Sequence, residues 1–378
     1  MTDYYDYAIV GKGLAGTQLA LSMSEDPFFY QKRILIIESI AQLPEKTFCF
    51  WSEYINPELN SITNTSWEKT LISHQDEKVY IDLHPYTYHK INSADFCTYA
   101  ESKMQTKQHI FFLYDEVIHT EESAQGVEIR TKNKLLKAKH VFDSRLPVSM
   151  SRLKKESIFV NQSFLGFFVE MEGNVFDTDC FTMMDFDCAD NSTTSFMYML
   201  PETTSKALFE VTFFCKDKFS TRDCEHFIKS YIKRHYPNKK YKIRAKEVGE
   251  IPMCSYNFRK HNSNRITYIG TAGGWVKAST GYSFRFAQKN VDKILQQIKN
   301  NEKPIGLVPK SKYTFYDKLL LKILFYENHL GATIFGSMFQ NVKPKLIFKF
   351  LDEDTSFYED LKVIIRMPYI PFIKALFR

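Results

Sequence analysis

Apolar and polar positions change period several times along the chain, and each change predicts an element. Tyr5-Asp6-Tyr7-Ala8-Ile9-Val10 reads as a short apolar strand, runs into Gly11-Lys12-Gly13-Leu14-Ala15-Gly16, and is followed by a helical stretch, Thr17 to Ser24. A second strand, Ile34-Leu35-Ile36-Ile37, ends on Glu38. Residues 110–114, 127–131 and 138–143 read as three further strands, expected as a small sheet laid on the first. Between them, Thr47-Phe48-Cys49-Phe50-Trp51 stands out from a mixed stretch that reaches to about residue 105. Strands then dominate: residues 164–171, 195–200 and 207–214, separated by Asn/Asp/Thr/Ser clusters and Pro201. Residues 225–235 look helical. Ile266-Thr267-Tyr268-Ile269 is a strand that enters Gly270-Thr271-Ala272-Gly273-Gly274, with a helix from about Ser283 to Lys299. From Phe315 the chain is helical, aromatic and basic, and residues 364–373 are strongly apolar with Lys and Arg around them. That tail is either docked on the body or an interfacial segment that dips into a bilayer.

The pattern strand–glycine–helix therefore occurs twice, far apart in sequence, which predicts an α/β (α+β) chain. One substrate domain is read as inserted into a nucleotide-binding domain, an arrangement typical of large flavin proteins. The expected boundaries are 1–70, 105–150 and 262–305 for the nucleotide unit, 71–104 and 151–261 for the substrate unit, and 306–378 for a helical, membrane-associating region. In the first glycine loop, Gly11 permits a tight turn, Gly13 lets the backbone approach a pyrophosphate, and Gly16 lets helix and strand pack closely. The N–H groups at the helix start, Ala15 among them, face the phosphates with the helix dipole behind them. Glu38 is placed to accept hydrogen bonds from ribose hydroxyls.

Composition narrows the picture. Phe, Trp and Tyr make up 15% of 378 residues, which suits either a large apolar cavity or simply a Phe-rich core. The net charge of +6 is dispersed, and no concentrated basic face or known module points to nucleic acid. A basic balance with an apolar C-terminal stretch suits an anionic membrane surface better. The seven cysteines show no Cys-x-x-Cys pair and no metal spacing with histidine, so no metal site is expected and the thiols are expected to be reduced. The first strand begins almost at the N-terminus, so no secretory leader is expected, and no apolar run reaches the roughly eighteen residues of a spanning helix. The expectation is a cytoplasmic protein, peripheral on the inner face of the cell membrane.

Candidate chemistry centres on Ala207-Leu208-Phe209-Glu210-Val211-Thr212-Phe213-Phe214. Side chains alternate across a strand, so Glu210 shares a face with Leu208, Thr212 and Phe214. A carboxyl in that company is expected to be buried, to stay protonated near neutral pH, and to serve as a general acid. Asp185, in Met183-Met184-Asp185-Phe186, and Glu170 are further acids that would divide acid and base roles with it if they came from adjacent strands. Asp143 and Arg145, at the end of a strand, either pair with each other or touch a cofactor. No Gly-x-Ser-x-Gly elbow is present.

Taken together the chain resembles the lycopene cyclase family of flavoproteins over nearly its whole length. The resemblance is carried by Gly11–Gly16, Thr47–Trp51, Phe142-Asp143-Ser144-Arg145, Gln162–Gly166, Met184-Asp185-Phe186, Tyr198-Met199-Leu200-Pro201, Ala207–Thr212, Ile251-Pro252-Met253, Ile269–Gly274 and Ser279-Thr280-Gly281-Tyr282-Ser283. It implies a hydroxylase-like flavoprotein fold, a Rossmann-like FAD-binding domain with an inserted antiparallel-sheet substrate domain, and an isomerase-type enzyme that binds reduced FAD, draws on NAD(P)H only to reduce it, and closes the ends of a linear carotenoid such as lycopene into β-ionone rings. It implies Glu210 as the first Glu of a Phe-Leu-Glu-Glu-Thr type motif and the catalytic acid, with Asp185 as the second candidate. It implies Trp51, Phe164, Phe167 and Tyr198 as lining for the polyene. The cofactor would be held at Gly11, Gly13, Ala15, Gly16, Glu38, Asp143, Arg145, Gly270, Thr271, Gly273 and Gly281. Two positions depart from the family pattern: Val211 replaces a second Glu, and Thr271 stands where an Asp often meets the ribityl chain. The alternatives are a flavin oxidoreductase on the same fold, such as a hydroxylase or prenyl-lipid reductase, and a non-catalytic pigment-binding relative.

Overall fold

In the computed structural model, which describes residues 3–378 except 42–43, 189–191 and 217–218, the first half of the chain lays down most of one sheet and begins two others. The elements are β1 (Tyr4–Val10), α1 (Leu14–Glu25), β2 (Ile34–Glu38), β3 (Thr47–Ser52), α2 (Pro57–Ser61), β4 (Thr65–Trp67), β5 (Lys69–His74), β6 (Glu77–Asp82), β7 (Thr87–Asn92) and α3 (Ser93–Gln105). Next come β8 (Ile110–Tyr114), β9 (Val117–Ser123), β10 (Gly126–Thr131), β11 (Leu135–Asp143), α4 (Met150–Glu156), β12 (Phe159–Met171), β13 (Cys180–Asp185), β14 (Thr194–Pro201) and β15 (Lys206–Cys215). The chain closes with α5 (Thr221–His235), β16 (Tyr241–Cys254), β17 (Ile266–Tyr268), α6 (Phe284–Lys299), α7 (Ser311–Tyr326), α8 (Gly331–Asn341), α9 (Pro344–Leu351), α10 (Phe357–Ile364) and α11 (Tyr369–Leu376).

The nucleotide sheet runs β8-β2-β1-β11-β10-β9, with β17 also pairing β11. The strands β8, β2, β1, β11 and β17 are parallel, and β9 and β10 pair antiparallel. Here the structure corrects the sequence reading. Residues 110–114 and 127–143 do not form a separate small sheet; they extend the first one, and β11 is the inner neighbour of β1. Helices α1, α3 and α6 cover one face through Leu19, Met23, Ala100, Met104, Val291 and Ile294. Helix α3, expected in the substrate unit, thus packs on the nucleotide layer.

The second large sheet runs β16-β12-β15-β14-β13-β5-β6. It is antiparallel except where β13 meets β5. The mixed stretch before residue 105 supplies its edge, β5 and β6, and also β4 and β7 of a three-stranded sheet with β3. The strand β16, 14 residues long, was not apparent from its polar composition. One face of this sheet is covered by α5 through Cys224, Ile228, Tyr231 and Ile232. The other faces α7, α8 and α9, whose Leu321, Leu324, Phe335, Phe339 and Phe348 join one continuous core with Leu208 and Phe214. The C-terminal tail is docked on α7 by Ala375 of α11, yet Ile365, Tyr369, Ile370, Ile373 and Phe377 remain exposed. Among the described residues no helix is long and apolar enough to cross a membrane.

Candidate active site

The glycine loop between β1 and α1 has the geometry that its spacing predicts. Gly11 has φ +95°, and a Cβ there would strike Ser144 Oγ. A Cβ on Gly16 would strike the carbonyl of Gly11, so only glycine lets α1 start this close to β1. Gly13 differs: a Cβ there would meet no protein atom within 4 Å, because the loop is open on that side. Glu38 is buried at the end of β2 and accepts the Lys12 N–H on Oε2 at 2.7 Å and the Ser39 N–H on Oε1 at 2.7 Å. A carboxylate has about four acceptor positions, so Oε2 retains room for a further donor. The Lys12 side chain turns away to Glu101 and Tyr114.

The second glycine segment meets the first. Gly270 has φ +61°, and its missing Cβ would lie 3.2 Å from Ala15 Cβ. Gly273 packs on the carbonyl of Tyr268, and Thr271 lies between them, half-buried. Asp143 and Arg145 bind each other: Nη2 reaches Oδ2 at 2.7 Å and Nε reaches Oδ1 at 3.0 Å, while Nη1 donates to the Val117 carbonyl. Their groups hold the loop after β11.

Beyond this loop lies an apolar cavity of about 170 Å³ between the second large sheet, the three-stranded sheet and the C-terminal helices. Leu14, Phe48, Cys49 and Thr280–Phe284 form the nucleotide side; Phe335, Met338, Phe339 and Leu351 form the roof. Gly281 has φ +78°, a backbone conformation that favours glycine, and a Cβ there would displace the amide of Gln162. Gln162 Oε1 and Thr280 Oγ1, both on the cavity wall, are buried polar atoms with no partner in the protein. Such atoms are costly unless a ligand satisfies them.

Glu210 projects into this cavity from β15, and the surface it retains borders the cavity. Burial, and secondarily the carboxylate of Glu247, pushes its carboxyl up to about 8. The Thr212 hydroxyl, which donates to Oε1 at 3.0 Å, and the more distant Lys46 oppose that rise. Phe164 and Tyr198 also line the cavity, and the Tyr198 hydroxyl donates to Tyr88 Oη at 2.9 Å. Burial raises the phenols of Tyr88 and Tyr198, and takes that of Tyr282 to about 12.

Other predicted positions lie elsewhere. Phe167 is three residues from Phe164 and so falls on the opposite face of β12, in the core under α5. Trp51 sits behind the wall, its ring 4.7 Å from that of Tyr282 and its Nε1 donating to Asp352 at 3.1 Å. Asp185 is not brought to Glu210. The pairing of β13 shifts register between Thr182 and Asp185, so Met183 and Met184 both line the cavity and the acid turns to α5. There it accepts the Tyr231 hydroxyl at 2.8 Å. Glu170 is paired with Arg244 at the sheet surface, 2.6 Å away. Val211, too, belongs to the α5 face, so a Glu at this position would not share the cavity with Glu210.

One acid was missed. Glu247, on β16, lines the cavity and accepts the Thr47 N–H at 3.0 Å and the Thr47 hydroxyl at 2.7 Å. Counting back by twos from Ile251 of the Ile-Pro-Met segment would have placed Gly249 and Glu247 on the same face.

Two glycine segments that meet, and an inserted sheet that closes an apolar cavity beside them, define the fold of FAD-dependent reductases, monooxygenases and halogenases. A geranylgeranyl bacteriochlorophyll reductase-like protein from Thermoplasma acidophilum shares it at TM-score 0.62 and 13% identity, with 99% of each chain covered. A flavoprotein/dehydrogenase from Cytophaga hutchinsonii shares it at 0.59 and 9%, with 93% of each covered. A p-nitrophenol 4-monooxygenase from Pseudomonas putida shares it at 0.58 and 13%, covering 98% of this chain and 99% of that one. The chain belongs to the lycopene cyclase family, whose profile, described as lycopene cyclase protein, matches residues 6–377. No curated protein matches the chain.

Proposed function

We propose that this protein binds FAD and cyclises the linear ends of lycopene, or a related carotene, to β-ionone rings by acid-initiated carbocation chemistry without net electron transfer. The observation that carries the reading is Glu210: a carboxyl that stays protonated near neutral pH, on the wall of an apolar cavity. The residues fit a flavin dinucleotide. Gly13 leaves its loop open to a pyrophosphate, Glu38 Oε2 has room for a ribose hydroxyl, and Gln162 Oε1 and Thr280 Oγ1 await partners near the cavity. When bound and reduced, FAD supplies negative charge that stabilises a nearby cation.

The chain's own residues account for the rest. The apolar wall excludes water, which would quench a carbocation or take the proton first. Glu210 gives its proton to the terminal C=C of the polyene, leaving a tertiary cation and a carboxylate. The neighbouring alkene attacks that cation, the new C–C bond closes the ring, and loss of a ring proton to a carboxylate restores charge balance. Aromatic faces at Phe164, Phe196 and Phe214 stabilise the positive charge on the way.

A carotene is reached from a bilayer, and we extend the proposal to a peripheral site on an anionic membrane surface at the cytoplasmic face. Exposed Ile365, Tyr369, Ile370, Ile373 and Phe377 would enter the interface, with Lys362 and Arg366 beside them to meet lipid phosphate. NAD(P)H would serve only to reduce the flavin. The test is purified protein with photoreduced FAD and lycopene in liposomes. Cyclised carotene without matching NAD(P)H consumption is expected. Consumption in proportion to product would mark an oxidoreductase, and unchanged bound pigment a binding protein.

A further inference from the structure

We infer that Glu247 is the second acid of this site: it faces Glu210 across Gly166 and fixes which of the two carboxyls carries the proton. The inference rests on reading Glu210 as the proton donor, and it makes Glu247 a positioning residue that acts through Glu210.

The backbone register places the two acids. On β12, Gly166 pairs with Glu210 of β15 on one side and with Glu247 of β16 on the other. All three positions therefore present the same sheet face, and the middle one has no side chain. A Cβ on Gly166 would lie 2.8 Å from Leu208 Cδ1, 3.6 Å from Glu210 Cβ and 3.8 Å from its Cγ, so glycine keeps the middle strand from placing a side chain between the acids, and only the Leu208 methyl leans in there. Both carboxyls line one cavity. Glu247 is only 5% exposed, and its two oxygens each accept a donor from Thr47, one from the backbone and one from the hydroxyl. Donors on both oxygens favour the charged form. Two like charges in one apolar site are unfavourable, so the acid with the better donors takes the charge and the other keeps its proton. Glu210, with one hydroxyl donated by Thr212, is the other.

The remaining groups around Glu210 do not reverse this. Cys49 on β3, Tyr88 on β7, Tyr198 on β14 and Tyr282 before α6 are all held neutral by burial. Lys46, ahead of β3, is the opposing charge; its ammonium is engaged by the Val248 carbonyl on β16. The second acid that the family motif places next to the first would point to α5 in this chain, where Val211 lies. The cavity takes its second carboxylate from a different strand.

The test follows the proton on Glu210 directly. The infrared C=O band of the protonated carboxyl, assigned by its loss in Glu210→Gln, is titrated in wild-type holoprotein and in Glu247→Gln. The band should disappear at a pH lower by about one unit or more in Glu247→Gln, and the alkaline limb of cyclisation should move with it. Glu247→Asp, which keeps the charge, should restore the wild-type titration. Thr47→Val, which removes one donor but not the acid, should move the band in the same direction by less. An unmoved band in Glu247→Gln and Thr47→Val overturns the inference. If Glu247→Gln does not fold, Thr47→Val alone decides. A protein that never cyclises lycopene would sink the proposed function, yet the titration would still report on Glu247.

Discussion

The hydroxyl of Tyr231 donates to Asp185 at 2.8 Å, and this contact ties β13 to α5 on the side of the sheet away from the cavity. Asp185 is therefore a structural acid. Asp185→Asn should leave flavin binding and cyclisation near wild-type levels. Its cost should appear in stability, about 1–3 kcal/mol in urea denaturation, because a buried hydroxyl loses its charged acceptor. Loss of turnover in a variant of unchanged stability would return Asp185 to the chemistry.

Glu210→Gln should retain FAD and abolish cyclisation. In wild type the acid must be protonated, so the rate should be level below about 7 and fall through about 8, where Glu210 ionises. The same shift links to stability. The folded-state value lies above the ordinary 4.5, so the stability contributed by this proton is complete below that value and is lost as pH rises through about 8. Glu210→Gln lacks this dependence and should gain on wild type as pH rises across that window, measured as Tm in paired buffers.

Gly13 and Gly16 separate cofactor binding from packing. Gly13→Ala adds a methyl to open space, so the apoprotein should keep its Tm. The methyl stands where a pyrophosphate would approach, and flavin affinity should fall at least tenfold, about 1.4 kcal/mol, by fluorescence titration. Gly16→Ala forces Cβ onto the Gly11 carbonyl and should lower the Tm of the apoprotein itself.

Ile370→Asp with Ile373→Asp places charge on two exposed apolar positions of α11. Flotation with anionic liposomes should fall severalfold, while Tm in solution is unchanged, since neither side chain packs in the core. Equal flotation of wild type and variant would remove α11 from the membrane contact.

The sequence was legible wherever one periodicity ruled a segment. The βαβ start, the face of Glu210 and the second glycine segment all follow from such runs. The failures have local causes. β5, β6 and β7 carry mixed side chains because they sit at edges or between layers, so neither period shows. Phe167 was assigned with Phe164 by residue type, although a separation of three on a strand sends them to opposite faces. Asp185 depends on a register shift that leaves no mark in the residue string. Glu247 belongs to a strand whose outward positions are charged, Arg244 and Lys246 among them, and which reads as a loop.

The roof of the cavity is built from α8 and α9, and the helices that follow brace them: Ala375 packs against Leu319, Ile323 and Ile334. A shortened version of the chain, made to remove the sticky tail and ease handling, would loosen that lid from outside. Water would then reach Glu210 more freely, and the trimmed protein should lose the apolar surroundings that hold this carboxyl in its protonated form.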